Sequence, residues 1–523
     1  MVQAQGAGYA GSVGAASRTF TLGDAARVTD VRLQLTKLAI ISGTVRDDGG
    51  DAVVGIDVIA FRRTSLQGRP PVLAGDVRVK TDDRGRYRLT GLLPGDYFVC
   101  ACAQSPIPFD GPLLTTLASR PLDLLGVAGR AAKAGADAAS LDNTLRTFAP
   151  TFHPNTPLAG RAERVKASGA APQDGIDISV TAVRAVRVSG RIIGGPPNSL
   201  NANFIRLTPI GDIPEAAVIT QMPPMLVQPD GRFDFAGVPP GQYTLEVRLT
   251  PGQGGGGPSG AALAFIGGRS VAPSGARGGG PPADSLWASQ LIAVGDDDVT
   301  GVVVGLQPGA TITGRLEFSG AAPPPPPPAA PTAGRANGVQ LNSIDPPPRN
   351  RSYNGAIGAD GTFRIPGVVP GRYTVTPFLS LPGWPTIKSV TLGGIDIADT
   401  LLDVDGSDLA NLVLTVTDTP MAEVRGTLAG GVVNADQDMW VRMFPAERRF
   451  WEEPFGAFAR FKTVRVELNA FTVTRVPAGD YYVVAVGEGG LEWMDKATLD
   501  VMSRSAERIT VANGDKKTIE VKR

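Results

Sequence analysis

Apolar and polar residues alternate with a period of two through much of this chain, in short runs broken by Gly, Pro, Asp and Asn. Alternation of this kind predicts half-buried strands, and the breaks predict tight turns. Residues 230–247, DGRFDFAGVPPGQYTLEV, show it most clearly. Asp230-Gly231 is a turn pair, because Gly tolerates positive φ and Asp can bond its own backbone. Phe233 and Phe235 flank Asp234, Pro239-Pro240-Gly241 predicts a second turn, and Tyr243, Leu245 and Val247 alternate again. The phrase reads as strand, turn, strand: a hairpin.

Nearly the same phrase begins at Asp83 and at Asp360, and a worn copy begins at Leu468. Its first aromatic and its tyrosine keep one offset: Tyr87 and Tyr97, Phe233 and Tyr243, Phe363 and Tyr373, Phe471 and Tyr481. An invariant offset across a Pro-Gly turn places both rings in one core. In the worn copy Leu468-Asn469 stands where the others have a Gly turn; Asn also adopts the left-handed conformation, so the turn is expected to survive. A leading strand carrying one Gly precedes each copy (Gly43, Gly190, Gly314, Gly426), and a trailing strand follows an acidic or Gly-containing turn. Leading strand, hairpin and trailing strand make a unit the size of a small β-sandwich.

This organisation predicts an all-β chain with five segments. Residues 1–38 hold the trailing strand of a truncated upstream unit, because VTDVRLQL (Val28–Leu35) has no leading strand before it. Upstream sequence is therefore expected. Sandwiches follow at 39–183, with an insertion at 104–148; at 184–309, with a Gly-rich loop at 251–282; at 310–420, with a polyproline loop at 321–332; and at 421–523, with an aromatic insertion and a short helix. Parts of 104–148 have helical character interrupted by Gly. Pro323–Pro328 is expected to form a stiff polyproline II stretch, either a solvated loop extension or a motif for a Pro-binding partner. For the helix, Trp493, Ala497, Val501 and Met502 can share one face.

The stretches ISGTVRDDGGDAVVGIDVIAFRR and TDDRGRYRLTGLLPGDYFV resemble the carboxypeptidase regulatory-like domain. The resemblance is strongest in residues 39–103, good in 184–250 and 310–378, and faint in 421–523. TFAPTFHPNTPLAGRAERV also resembles the segment that follows the first such module in large bacterial proteins. The resemblance implies a seven-stranded, transthyretin-like or immunoglobulin-like sandwich, repeated in tandem, in a bacterial surface or secreted protein. Through related starch-binding-like folds it also implies carbohydrate as a ligand class. It implies nothing catalytic, and fold alone does not fix function. An extracytoplasmic location rests on this resemblance, since the N-terminus as it stands is not a signal peptide.

Composition narrows the options. Lys plus Arg and Asp plus Glu are 50 each. This balance offers nothing to attract nucleic acid or an anionic membrane. Gly (66) and Pro (45) are abundant, as turn-rich β-sandwiches require. No apolar run reaches the roughly 20 residues of a transmembrane helix. Cys100 and Cys102, two apart in a strand, share one face and read as small core residues poorly placed to bond each other.

Candidate chemistry is sparse. His153 is the one histidine, beside prolines, and reads as a loop or strand-edge residue rather than a catalytic base. Asp296-Asp297-Asp298 lacks the alternating ligands of a calcium loop and reads as the polar turn before a trailing strand. No phosphate-binding loop and no cofactor motif is present. The window Trp440–Phe461 stands apart, with Trp440, Phe444, Phe450, Trp451, Phe455, Phe458 and Phe461 in one short stretch. Three readings apply: core of the fourth sandwich, a surface for a protein partner, or a sugar site. In the last, Trp440, Phe450, Trp451 and Phe455 would stack on rings while Arg448 and Glu452 bond hydroxyls. The expectation is a non-catalytic scaffold or adhesion protein with a protein or polysaccharide partner at the cell envelope. The alternatives are a carbohydrate-binding accessory protein, which needs Trp440 and Trp451 facing solvent together, and an enzyme with facing carboxylates in a cleft.

Overall fold

A computed structural model describes residues 2–3, 8–11, 17–18, 35–64, 72–102, 146–195, 204–211, 225–228, 230–249, 285–321, 337–345, 351–379, 381, 386–429, 439–467, 469–487 and 493–522. Most of the orphan strand Val28–Leu35, the insertion 104–148, the Gly-rich loop and the polyproline loop lie outside the described residues. By its internal contacts the chain divides into two compact units. One holds residues 1–63, 72–280 and 286–307, the other 64–71, 281–285 and 308–523.

The chain is a tandem array of β-sandwiches. In each, the leading strand is flanked on both sides within one sheet. Ala39–Asp47 pairs antiparallel with Arg86–Leu92 and parallel with Ile178–Val180. Val186–Ile193 does the same with Arg232–Val238 and Val299–Gly305. Ala310–Phe318 pairs with Thr362–Val368 and Leu409–Thr417, and Ala422–Leu428 with Ala470–Val476 and Lys516–Val521. Among the described residues the fourth sandwich, with a three-stranded and a four-stranded sheet, has seven strands, and the other three have additional ones.

The repeated phrase is not a hairpin. Its second strand lies in the opposite sheet: Gly95–Cys102 pairs with Asp57–Thr64, Gly241–Leu249 with Phe204–Pro209, Gly371–Phe378 with Gly338–Ser343, and Gly479–Val486 with Trp440–Pro445. The phrase is an arch that carries the chain over the edge of the core. Two features turn it. A left-handed residue near the end of the first strand coincides with a register shift in the ladder, at Gly91, Gly237 and Gly367 and, in the worn copy, at Arg475 with φ 56°. A bulge of this kind bends the strand. The tyrosine then closes the corner. Its hydroxyl donates to the carbonyl four residues back, Tyr97 to Leu93, Tyr243 to Pro239 and Tyr373 to Val369 at 2.7 Å, and Tyr481 to Pro477 at 2.8 Å. This is the geometry of a tyrosine corner.

The invariant offset follows from the ladder. The first aromatic stands directly across from the leading-strand glycine in every sandwich: Gly43 and Tyr87, Gly190 and Phe233, Gly314 and Phe363, Gly426 and Phe471. Turns also behave as the residue types require. Asn469 has φ 69° and stands in for the glycine of the other copies. Asp177, Asp298 and Asp408 each accept a hydrogen bond from a leading-strand N–H, of Thr44, Arg187 and Thr311. The inward residues of the facing sheets form the cores, such as Val188, Ile205, Phe233, Phe235 and Leu245 in the second sandwich. Each such side chain stabilises the fold by roughly 1.5–3 kcal/mol.

The cysteines correct the expectation. Cys100 and Cys102 are joined by a disulfide, with their Cα atoms 5.7 Å apart. That separation lies within the bonding range. The shared face brings the two sulfurs together beside Ile59, Phe61 and Phe152 instead of keeping them apart.

Candidate functional site

The aromatic window belongs to the fourth sandwich. Strand Trp440–Pro445 alternates between two cores. Val441 and Met443 point between the sheets, while Phe444 belongs to a second apolar cluster with Phe450, Trp451, Phe461, Trp493, Leu499 and Met502. The chain between this strand and its neighbour Lys462–Arg465 forms the short helix Arg449–Glu452 and a single 3-10 turn, Phe458–Arg460. The helix Lys496–Ser503 closes the cluster, capped by Asp495, whose carboxylate accepts from Thr498 N–H at 3.0 Å.

The proposed site residues divide by burial. Trp451 is 2% exposed and Phe450 6%, while Trp440 and Phe455 are half-buried. Trp451 donates Nε1–H to the Pro445 carbonyl at 2.8 Å, and its ring meets Phe444 edge-on. Arg448 stacks on Trp451 at 5.1 Å and bonds Asp500 at 2.7 Å; Glu452 pairs with Lys496. The two polar residues thus staple the helix Arg449–Glu452 to the helix Lys496–Ser503. The pair Trp440 and Trp451 does not face solvent together. On the C-terminal helix, Leu499 and Met502 are the buried positions; Val501, expected on that face, is 63% exposed.

The far side of the insertion meets the third sandwich. Arg460 donates from Nε and NH2 to Asp399 at 2.8 and 2.7 Å, and from NH1 to the Ala478 carbonyl and the Tyr481 hydroxyl at 2.9 and 3.2 Å. Its guanidinium lies 5.1 Å from the Phe450 ring. The side chains of Arg460 and Asp399 are 17% and 22% exposed, so this pair is shielded from water and salt. Burial alone would lower the Arg460 pKa, but the Asp399 hydrogen bond and the nearby Tyr481 and Asp399 raise it. Burial pushes the Tyr481 hydroxyl up to about 12 against the opposing pull of Arg460. Arg372 of the third sandwich pairs with Glu453. A Cβ on Gly456 would come within 3.1 Å of the Thr400 backbone, so a glycine lets the two segments approach closely there. Both Arg460 donors converge on one Asp399 oxygen, Oδ2, in charge-assisted hydrogen bonds, which are stronger than neutral ones. The segment thus joins two sandwiches. Asp399, Arg372 and Gly456, which complete the junction, carry no local sequence signal.

The remaining candidates have structural roles. His153 Nδ1 lies 3.0 Å from the Asp177 carbonyl oxygen, at the edge of a trailing strand. Asp298 holds the leading strand through Arg187 N–H. No group of three or more His, Cys, Asp or Glu suited to a metal ion occurs among the described residues. An open groove of about 650 Å³ on the third sandwich is lined by Arg315, Asn354, Arg364 and Asn411, with no carboxylate among its described lining.

No protein-family profile matches the chain, and no curated protein matches it in sequence. Among solved structures it is similar to a streptococcal ancillary pilin, at 10% identity over 65% of this chain and 99% of the other, with a TM-score of 0.18. It is similar to a minor pilin of Streptococcus agalactiae at 10% identity over 45% and 97%, with a TM-score of 0.22. A full-length pilus protein of Streptococcus pneumoniae matches at 7% identity over 93% and 98%, with a TM-score of 0.16. At these identities and scores the likenesses say nothing of ligand or partner. No helix among the described residues is long and apolar enough to cross a membrane.

Proposed function

We propose that this chain is a non-catalytic, extracytoplasmic scaffold or adhesion protein. Its modules, bounded at 39–183, 184–309, 310–420 and 421–523 and akin to the carboxypeptidase regulatory-like domain, hold variable loops away from rigid cores, and the loops meet a partner at the cell envelope. The observation that carries this reading is the use made of the most distinctive segment. Its aromatics are spent on a second core and its arginine on a bridge to the neighbouring sandwich. A junction of that kind keeps successive modules in register, which a spacer needs and an enzyme does not. The Cys100–Cys102 disulfide supports the location, because disulfides persist in oxidising compartments.

The carbohydrate-binding alternative is less well supported, since Trp451 is buried and bonded to Pro445. Fractionation of cells that naturally express the chain tests the proposal. Recovery outside the inner membrane, with both thiols blocked to alkylation before reduction, is the expected result. Recovery in the cytoplasm with free thiols would contradict it.

A further inference from the structure

Each trailing strand has one edge paired with its leading strand and another turned away from it. An unpaired edge offers N–H and C=O groups to any arriving strand, and proteins ordinarily guard it. Three of the four edges are guarded, each differently. In the first sandwich Ile176 N–H donates to the Ser42 carbonyl, so alternation turns Asp177 and Ser179 outward. His153 Nδ1 sits against the Asp177 carbonyl, and Asn155 Oδ1 accepts from Ser179 N–H at 2.6 Å. In the third, strand Thr386–Leu392 pairs antiparallel along Leu412–Thr417. In the fourth, the strand reads KKTIEV, with Lys516, Lys517 and Glu520 as charged deterrents.

The second trailing strand, Val299–Gly305, reads VTGVVVG and carries no charge. It has no strand on its outer edge among the described residues. Leu306 N–H donates to the Ile193 carbonyl, so alternation turns the N–H and C=O of Val303 outward. Val302 and Val304 point into the core, while Val303, opposite Arg191 in the ladder, is 57% exposed; Ile193, opposite Gly305, is 48% exposed. Register equates this edge with the covered one. Gly190 stands opposite Val302 as Gly314 stands opposite Leu412. Among the described residues, no strand fills in the second sandwich the position that Thr386–Leu392 fills in the third.

We propose that this edge joins two copies of the chain, pairing antiparallel about a twofold axis at Val303. The residues Gly301-Val302-Val303-Val304-Gly305 read the same in both directions. Gly301, with φ 71°, lies in a bulge where the ladder shifts register, so the regular edge runs from Val302 to Gly305. Pairing about Val303 sets Val303 against itself and Val302 against Val304, and no like charges meet. That self-complementarity, the requirement of a twofold contact, selects a second copy over an unrelated strand. The two Val303 side chains then meet at the axis on the outer face of the continuous sheet, flanked on each leading strand by Arg191.

Sedimentation velocity of the full chain over a concentration series tests this, beside Val303→Lys, which would oppose two ammonium groups at the axis. The wild type is expected to pass from monomer to dimer with concentration; the variant is expected to stay monomeric with an unchanged circular dichroism spectrum. Val303→Cys adds a readout that does not depend on the lysine variant folding. Hydrogen-bonded antiparallel pairs hold their Cα atoms about 5.5 Å apart, within reach of a disulfide. Mild oxidation should give a covalent dimer from Val303→Cys and none from Leu291→Cys, a site 70% exposed elsewhere on the same sandwich. A chain monomeric across the whole series, or a dimer untouched by Val303→Lys, would overturn the proposal.

Discussion

Phe363 lies directly across the ladder from Gly314, and its ring occupies the space a side chain at Gly314 would need. A Cβ there would come to 2.4 Å from Phe363 Cζ and 2.0 Å from the Leu412 carbonyl oxygen. The pair is an aromatic ring covering a cross-strand glycine, and it fixes register in the central strand of the sheet. Gly314→Ala should destabilise the third sandwich by about 3 kcal/mol, since neither the ring nor the backbone can retreat without unpacking the core. Gly295→Ala, where nothing lies within 4 Å, is the control and should be near neutral. Hydrogen exchange resolved by sandwich would separate the two; equal effects would discount the packing argument.

The tyrosine corner predicts a smaller loss. Tyr373 is fully buried and donates to the Val369 carbonyl. Tyr373→Phe keeps the ring and removes one hydrogen bond, so about 1 kcal/mol should be lost, with protection falling first around 366–373. No change on denaturation would mean that the bond does not close the arch.

Arg475 offers the opposite test. It holds φ 56° at the position where the other sandwiches have Gly91, Gly237 and Gly367, and it is exposed. A left-handed conformation costs a residue with a side chain roughly 1–2 kcal/mol. Arg475→Gly should therefore stabilise the fourth sandwich by about 1 kcal/mol, measured as a raised midpoint of its unfolding transition. A lowered midpoint would contradict the strain.

Acid should loosen the fourth sandwich. Hydrogen bonds from Thr510 and Arg508 hold the Asp480 pKa below the ordinary 3.8, and those from Arg504 and Arg448 do the same for Asp500. A depressed native pKa means that the unfolded state binds more protons in the window between the two values. The stabilisation is thus complete above the unfolded value and lost as pH falls through the native one, from about pH 5 downward. Asp480→Asn with Asp500→Asn should flatten the acid limb of a melting-temperature profile. A limb as steep as the wild type's would place the acid sensitivity elsewhere.

Much of this fold was legible in residue patterns because its parts repeat. The offset between Phe233 and Tyr243 reflects a ladder pair at one end and a corner bond at the other, and both need the same spacing in each copy. Asn469 was readable as a glycine substitute for the same local reason. The arch was not readable, because two alternating strands around a Pro-Gly turn look alike whether they pair together or join opposite sheets. The candidate site failed to read for a different cause. Aromatic enrichment marks a place where rings gather, but Arg460 finds Asp399 only once two sandwiches are stacked. The second core was hidden too, since Phe444 faces it while Val441 and Met443 on the same strand face the first.

Segment 440–461 holds its own sandwich to the neighbouring one through Arg460 and Asp399. Distances between spin labels on Ile395→Cys and Val501→Cys test it most directly. Both sites are exposed, and the native cysteines are bonded to each other and will not label. A narrow distance distribution that broadens when Asp399→Ala is added is the predicted result. A broad distribution in the parent chain, or a narrow one that Asp399→Ala leaves unchanged, would contradict the account.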